Sequence, residues 1–258
     1  MSNVYLSVVA PAHNEEDNID QLIEEIAVAL SDASYSWEVV LVDDGSTDGT
    51  LERMIAAQAR HSELRVIRML QTPSGSGNGQ SAAFYAAFRA ARGSIIVVLD
   101  ADLQNDPADI PRLVTLLDEQ DVDLVQGDRS QNRRDTIVRR ASSFVGRTFR
   151  WMLLGDTIRD TGCSLRVMRR EVALRLPLEF RGMHRFIPVT ARQLGYRVIE
   201  EPVHHRPRVA GVAKYGIWNR AIPGLIDCFA VRWMRRRRRP VAFEECRPAA
   251  VPMRSESR

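Results

Sequence analysis

The chain has 258 residues, 45% of them hydrophobic, and a formal net charge of +3. That length and apolar content suffice for one large domain or two small ones with a real core, and Cys163, Cys228 and Cys246, odd in number and scattered, argue against a disulfide framework or a Cys/His zinc site. The basic character is local: without Arg232 and Arg235 to Arg239 the net charge falls to −3, which argues against a nucleic-acid-binding body. The N-terminus, MSNVYLSVVAPAHNEE, lacks a basic leader region, and no run of about 18 uncharged apolar residues exists. The expectation is a protein kept in the cytoplasm.

In chain order, Tyr5–Ala10 reads as a strand and Glu15–Leu30 as a helix. Glu38–Val42 is a strand, Asp48–Arg60 a helix and Leu64–Leu70 a strand. Gln71–Gly79 reads as a flexible Ser/Gly loop. Gln80–Ala91 is an Ala-rich helix, Ser94–Leu99 a strand, Pro107–Glu119 a helix with proline near its start, and Asp123–Gln126 a short strand. Repeated strand–helix units with apolar strands predict an α/β fold, a mainly parallel sheet covered on both faces. Ligands of such sheets bind at the carboxyl ends of the strands. Three strands end there in polar clusters: PAHNEE (Pro11 to Glu16), DDGSTDGT (Asp43 to Thr50) and DADLQ (Asp100 to Gln104). Ordinary turn chemistry explains one such cluster but not three at one edge. A dinucleotide site would need G-x-G-x-x-G after the first strand, and PAHNEE has no glycine.

In IIVVLDADLQNDP (Ile95 to Pro107), a buried run passes straight into acids two residues apart. Alternation puts Asp100, Asp102 and Gln104 on one side if the extended chain continues. Carboxylates on one side repel each other unless a cation lies between them.

Three ordered motifs, PAHNEEDNI, LVDDGSTDGT and VLDADLQNDP, resemble the family 2 glycosyltransferases of the GT-A fold. The later segments GDRSQNRRDTIVRRASSFVGR, DTGCSLRVMRRE, MHRFIP and HHRPRVAGVAKYG are similar to those of the polyprenyl-phosphate glycosyltransferases, over about Val4 to Trp233. The resemblance implies metal-dependent, inverting transfer of a sugar from a nucleotide-sugar to a polyprenyl phosphate. It implies Mg²⁺ or Mn²⁺ on Asp100 and Asp102, with Gln104 as a neutral helper; these ions favour oxygen ligands, a carboxylate or two plus phosphates. It places the donor on Pro11, His13, Glu15, Val42, Asp44, Asp100, Ala101 and Asp102. His13 stands where the family commonly has Tyr. Arg129, Arg139 and Ser143 would cradle the acceptor phosphate, the last two one helical turn apart. A phosphate already largely dianionic at neutral pH needs no dedicated catalytic base.

Lys214 is the single lysine among 36 Lys and Arg residues, and it lies in RVAGVAKYG. A compact ammonium suits phosphate in a way that a flat guanidinium does not. Arg208 and Lys214 are therefore expected over the donor diphosphate, with Ala213 in place of a family serine. Asp160 and Arg166 are expected to shape the floor of the site or to pair with each other.

Ile217–Met234 reads as a helix with Trp218, Ile222, Leu225, Ile226, Phe229 and Trp233 on one stripe, bent or split at Pro223–Gly224. Such a stripe ordinarily packs into a core. Followed by an arginine run, it also fits an interfacial helix on anionic lipid. The expected division is a GT-A catalytic domain over 1–216, membrane-surface helices over 217–239 and a disordered tail over 240–258. Attachment would be peripheral, at the cytoplasmic face, with a membrane partner to flip the product. The alternatives are a family 2 transferase with a soluble or glycan acceptor, and a catalytically silent nucleotide-sugar-binding module at the membrane.

Overall fold

Runs of β-branched residues build the centre of the molecule. In the computed structural model, which describes residues 4–73, 75–130, 137–206 and 218–239 (backbone alone for 137–145 and 218–222), they form one seven-stranded sheet. The strands are β1 (Leu6–Ala12), β2 (Trp37–Asp43), β3 (Leu64–Arg68), β4 (Ile95–Val98), β5 (Leu124–Asp128), β6 (Arg166–Arg169) and β7 (Val198–Pro202). Their order is β3-β2-β1-β4-β6-β5-β7. β6 runs antiparallel to β4 and β5, and every other pairing is parallel.

The helices are α1 (Ile19–Ala29), α2 (Thr50–Gln58), α3 (Gln80–Ala90), α4 (Ile110–Glu119), α5 (Ile137–Leu154), α6 (Arg170–Arg175), α7 (Ile187–Gln193) and α8 (Trp218–Arg237). Alternate strand residues feed two separate cores. Val8, Ala10 and Leu41 meet α1, α2 and α4 on one face; Val9, Val40 and Val42 meet α3, α6 and α7 on the other. Because both faces are covered, the strands are apolar throughout rather than alternating. The entry to α4 follows its local chemistry: Asp106 accepts the Ala108 N–H at 3.0 Å, and Pro107 opens a short 3-10 turn where a missing N–H costs little.

Two strands, β6 and β7, carry no clear signal in the sequence. β6 is RVMR and β7 is VIEEP, short and charged. Burial of Arg166 makes β6 possible, because its guanidinium donates to Gln126 Oε1 at 2.6 Å and to the Thr161 carbonyl at 3.2 Å.

The C-terminal helix departs from expectation in one respect. It is one helix, Trp218–Arg237, with Pro223 inside it, not two. Cys228 and Val231 anchor it in the second core and it packs along α5, so tertiary contact outweighs the local breaker. Of the two placements expected for the stripe, core or surface, its described side chains take the surface: Leu225, Ile226, Phe229 and Trp233 are exposed, Trp233 at 62%, while Trp218 and Ile222 are described by backbone alone. Arg232 and Arg235 donate to the carbonyls of Leu153 and Leu154, at 3.0 and 3.4 Å, capping the end of α5. Among the described residues, no helix is long and apolar enough to cross a membrane.

Candidate active site

β1, β2 and β4 are adjacent and parallel, so their carboxyl ends meet at one edge. The first two polar clusters are stapled together there. His13 Nδ1 lies 2.9 Å from the Asp44 carbonyl oxygen. Asn14, in the left-handed region at φ 56°, donates its N–H to Ser46 Oγ and accepts the Thr47 N–H at 2.8 Å. The Gly49 N–H reaches Glu16 Oε2 at 2.7 Å, and the Glu15 N–H reaches Thr50 Oγ1 at 2.8 Å. Short polar side chains bond nearby backbone readily, so both motifs spend much of their chemistry on shaping the edge.

Of the expected donor contacts, Pro11 and Val42 face each other in the ladder. The Val42 side chain is fully buried in the second core and Ala101 belongs to the first, so only their backbones face the edge. Both carboxylate oxygens of Asp44 accept backbone N–H groups, from Asn78 at 2.8 Å and Gly79 at 2.7 Å. The glycine-rich segment expected to be a flexible loop is thus tied to the site, with Ser74 outside the described residues.

The extended chain does not continue past β4. A turn over Ala101–Leu103, with Leu103 at φ 59°, brings the acids together instead. Gln80 Nε2 donates to Asp100 Oδ1 at 2.6 Å, and the Gln104 N–H lies 3.3 Å from Asp102 Oδ1. Ser164 donates to Asp100 while its oxygen accepts Asn105 Nδ2 at 2.7 Å. Burial, and then the neighbouring Asp102 charge, push the Asp100 carboxyl up to about 6, against weaker pulls from Ser164, Arg166 and Arg129. Two neighbouring carboxylates of like charge suit a hard divalent cation. No group of three or more His, Cys, Asp or Glu capable of holding a metal occurs among the described residues. Two carboxylates with room for substrate oxygens match what Mg²⁺ or Mn²⁺ takes from a protein when phosphates complete the shell.

Arg129 follows β5 and lies beside this edge, but it is not an unpaired charge. Nε and Nη2 bond the two oxygens of Asp160 at 2.8 and 3.1 Å, with both side chains largely buried. Burial alone would lower the Arg129 pKa, yet the Asp160 carboxylate raises it, so the guanidinium stays charged. Asp160 therefore takes Arg129, while Arg166 goes to Gln126 and Thr161. Gln126 itself is fully buried and donates to the carbonyls of Gly127, Asp160 and Cys163. Burial first pushes the Cys163 thiol up to about 12.

Arg139 and Ser143 lie on α5, where the backbone alone is described. Arg208 and Lys214 lie outside the described residues. The chain leading to them is pinned at Arg206. Its N–H donates to the Gln104 carbonyl at 2.9 Å, and its guanidinium bonds Glu25 and Asp106, each at 2.7 Å. Gln80, Ser164 and Asn105 were not legible as site residues. Glutamine, serine and asparagine are common in turns, and only the fold shows what they face.

The sequence profile described as Glycosyl transferase family 2 matches residues 7–176. The chain is 35% identical over 247 residues to a dodecaprenyl-phosphate galacturonate synthase of Rhizobium johnstonii, covering 94% of this chain and 71% of that one. It is 37% identical over 210 residues to an undecaprenyl-phosphate 4-deoxy-4-formamido-L-arabinose transferase of Salmonella choleraesuis, covering 81% and 62%. Its fold matches that of glucosyl-3-phosphoglycerate synthase from Mycobacterium tuberculosis, solved with Mn²⁺, uridine diphosphate and glucosyl-3-phosphoglycerate. There the TM-score is 0.66 at 24% identity, over 89% of this chain and 80% of the other. The sheet and its flanking helices are the GT-A arrangement.

Proposed function

Since this chain belongs to glycosyl transferase family 2, we propose that it transfers a sugar, with inversion, from a nucleotide-sugar to a polyprenyl phosphate. The observation that carries this reading is the crowded Asp100–Asp102 pair at the edge where three strand ends meet. Support comes from relatives named for dodecaprenyl- and undecaprenyl-phosphate chemistry and from a fold neighbour solved with Mn²⁺ and uridine diphosphate.

In this reading Asp100 and Asp102, with Gln104 beside them, would hold Mg²⁺ or Mn²⁺ for the donor diphosphate. A cation so held offsets the charge gathering on the departing nucleoside diphosphate. The backbones of Pro11, Val42 and Ala101, with His13, Glu15 and Asp44, line the nucleoside side. Arg208 and Lys214, outside the described residues, would add positive charge over the diphosphate. The acceptor phosphate supplies its own nucleophilic oxygen, and Arg139 and Ser143 on α5 position it together with Arg129.

The lipid side of the reading rests on α5 and α8. Trp151 and Met152 of α5 and Ile226, Phe229 and Trp233 of α8 are exposed on two helices joined by an edge-to-face contact of Phe149 with Phe229, centroids 5.8 Å apart. Arg236 to Arg239 extend exposed from the end of this pair. Apolar side chains beside clustered arginine match an anionic bilayer surface. The protein would sit peripherally on the cytoplasmic face, where a membrane flippase would receive its product.

The test is label transfer from a panel of nucleotide-sugars to undecaprenyl phosphate, with Mg²⁺ or Mn²⁺ and with a chelator. Chelator-sensitive label in the lipid fraction for one donor is the expected result. Metal-dependent nucleotide release without lipid label would move the acceptor to a soluble or glycan molecule. Binding of a donor without turnover would make the chain a silent nucleotide-sugar-binding module.

A further inference from the structure

We propose that Gln80 is a positioning residue for Asp100, setting the orientation of that carboxylate for the cation; this rests on the metal reading above. In sequence the glycine-rich segment PSGSGNGQ reads as a flexible loop at the ligand-binding edge, with Gln80 opening the helix that follows. In the structure its last residues join separate elements of the site. The backbone N–H groups of Asn78 and Gly79 hold the two oxygens of Asp44 at the end of β2. One residue on, Gln80 Nε2 reaches Asp100 Oδ1, beyond β4, at 2.6 Å. The next residue, Ser81, accepts the His184 N–H at 3.1 Å and lies 2.9 Å from His184 Nδ1. Consecutive residues are therefore tied to three separate elements, which fixes the backbone that carries Gln80 beside Asp100.

Close approach confirms the fit of this turn. Gly77 sits at φ 63°, and a Cβ there would lie 2.5 Å from the Asp44 carbonyl oxygen and 2.6 Å from Oδ2. Gly79, at φ 90°, turns the chain into α3 in a conformation that favours glycine.

The chemistry of an amide suits the role. Gln80 offers N–H donors without charge. A lysine or arginine there would neutralise Asp100 and compete with a cation, and a carboxylate would add to the repulsion from Asp102. Gln80 instead holds one oxygen of Asp100 and leaves its charge available. It acts through Asp100 rather than on the substrate.

The experiment is Mn²⁺ binding to the full chain at neutral pH, without lipid, both alone and with uridine diphosphate against a protein-free blank, read from the electron paramagnetic resonance of free Mn²⁺. Gln80→Met keeps length and loses the donor; Gln80→Ala gives a second variant if the first fails to fold. Outer partners of metal ligands are commonly worth about ten- to a hundredfold in affinity, so either variant is expected to raise the Mn²⁺ dissociation constant by at least about tenfold. Glu38→Gln, at the opposite edge of the sheet, controls for lost stability and is expected to leave that constant unchanged. Wild-type affinity in the folded Gln80 variants, or an equal loss in Glu38→Gln, overturns the positioning role alone. A wild-type chain that binds no Mn²⁺ either alone or with uridine diphosphate overturns the metal reading of Asp100 and Asp102, and this proposal with it.

Discussion

Two carboxylates lie at opposite ends of the same sheet and shift in opposite directions. Asp100, at the carboxyl edge, is pushed up to about 6 by burial and then by Asp102. Glu38, at the amino edge, is held below the ordinary carboxylate range. Burial alone would raise it, but the Ser7 hydroxyl, the Arg92 N–H and the Arg65 guanidinium, at 2.7, 2.7 and 2.9 Å, together prevail. Burial is common to both, and what differs is the supply of donors. Glu38 has a guanidinium among three donors and serves the fold, whereas Asp100 has two neutral donors, Gln80 and Ser164, and a like charge beside it. The Arg129–Asp160 pair shows the first pattern again at the active edge.

The sharpest way to break this comparison is Asp102→Asn. If the pair holds a cation, loss of one carboxylate removes several kcal/mol of transition-state stabilisation, a fall of roughly a thousandfold in sugar transfer. A folded variant with full metal-dependent transfer would remove Asp102 from the metal role.

Next in size is Arg129→Met, which leaves Asp160 buried without its guanidinium. Breaking a buried pair from one side costs about 3–5 kcal/mol, to be read in urea unfolding. An unchanged unfolding midpoint, with transfer lost, would mean that Arg129 serves only the acceptor phosphate.

Glu38→Gln tests the other end of the comparison. Losing a charged, buried hydrogen-bonded group is expected to destabilise by about 1–3 kcal/mol. The pH dependence has a definite sign. Because the folded pKa lies below the unfolded value of about 4.3, the contribution of Glu38 is present above that value and lost as pH falls through the folded pKa. The wild type should therefore lose more stability than Glu38→Gln on acidification below about pH 4. Parallel pH profiles for the two proteins would contradict this.

The smallest effect on stability is expected from replacing Arg236 to Arg239 with serine, which spares the capping residues Arg232 and Arg235. Binding to anionic vesicles should weaken by at least about tenfold and in a salt-sensitive way, with the melting temperature nearly unchanged. Equal vesicle binding would detach the arginine run from the membrane reading.

Much of the first half was legible. β1, β2 and β4 are continuous apolar runs, and their ends carry motifs whose order matches a known family. The elements that escaped notice share one property: their residues make sense only in contact. β6 begins with a buried Arg166 that needs Gln126 opposite, and β7 is an acidic edge strand whose Glu200 accepts the Arg159 N–H. Gln80 looks like one more helix residue until Asp100 is seen 2.6 Å away. The stripe on α8 was visible, but which face of the helix the core would take was not. Cys228 and Val231 went inward, and the larger aromatics stayed outside.

The sequence by itself determined the apolar strands, the order of the polar clusters and therefore the family. Those depend on local periodicity and on motifs contiguous in the chain. Tertiary structure alone decided which acids are satisfied and which are crowded, and which face of α8 is covered. It also decided that a glycine-rich turn holds Asp44 and Asp100. Charge compensation and burial depend on distances between groups far apart in the chain, and only folding sets those distances.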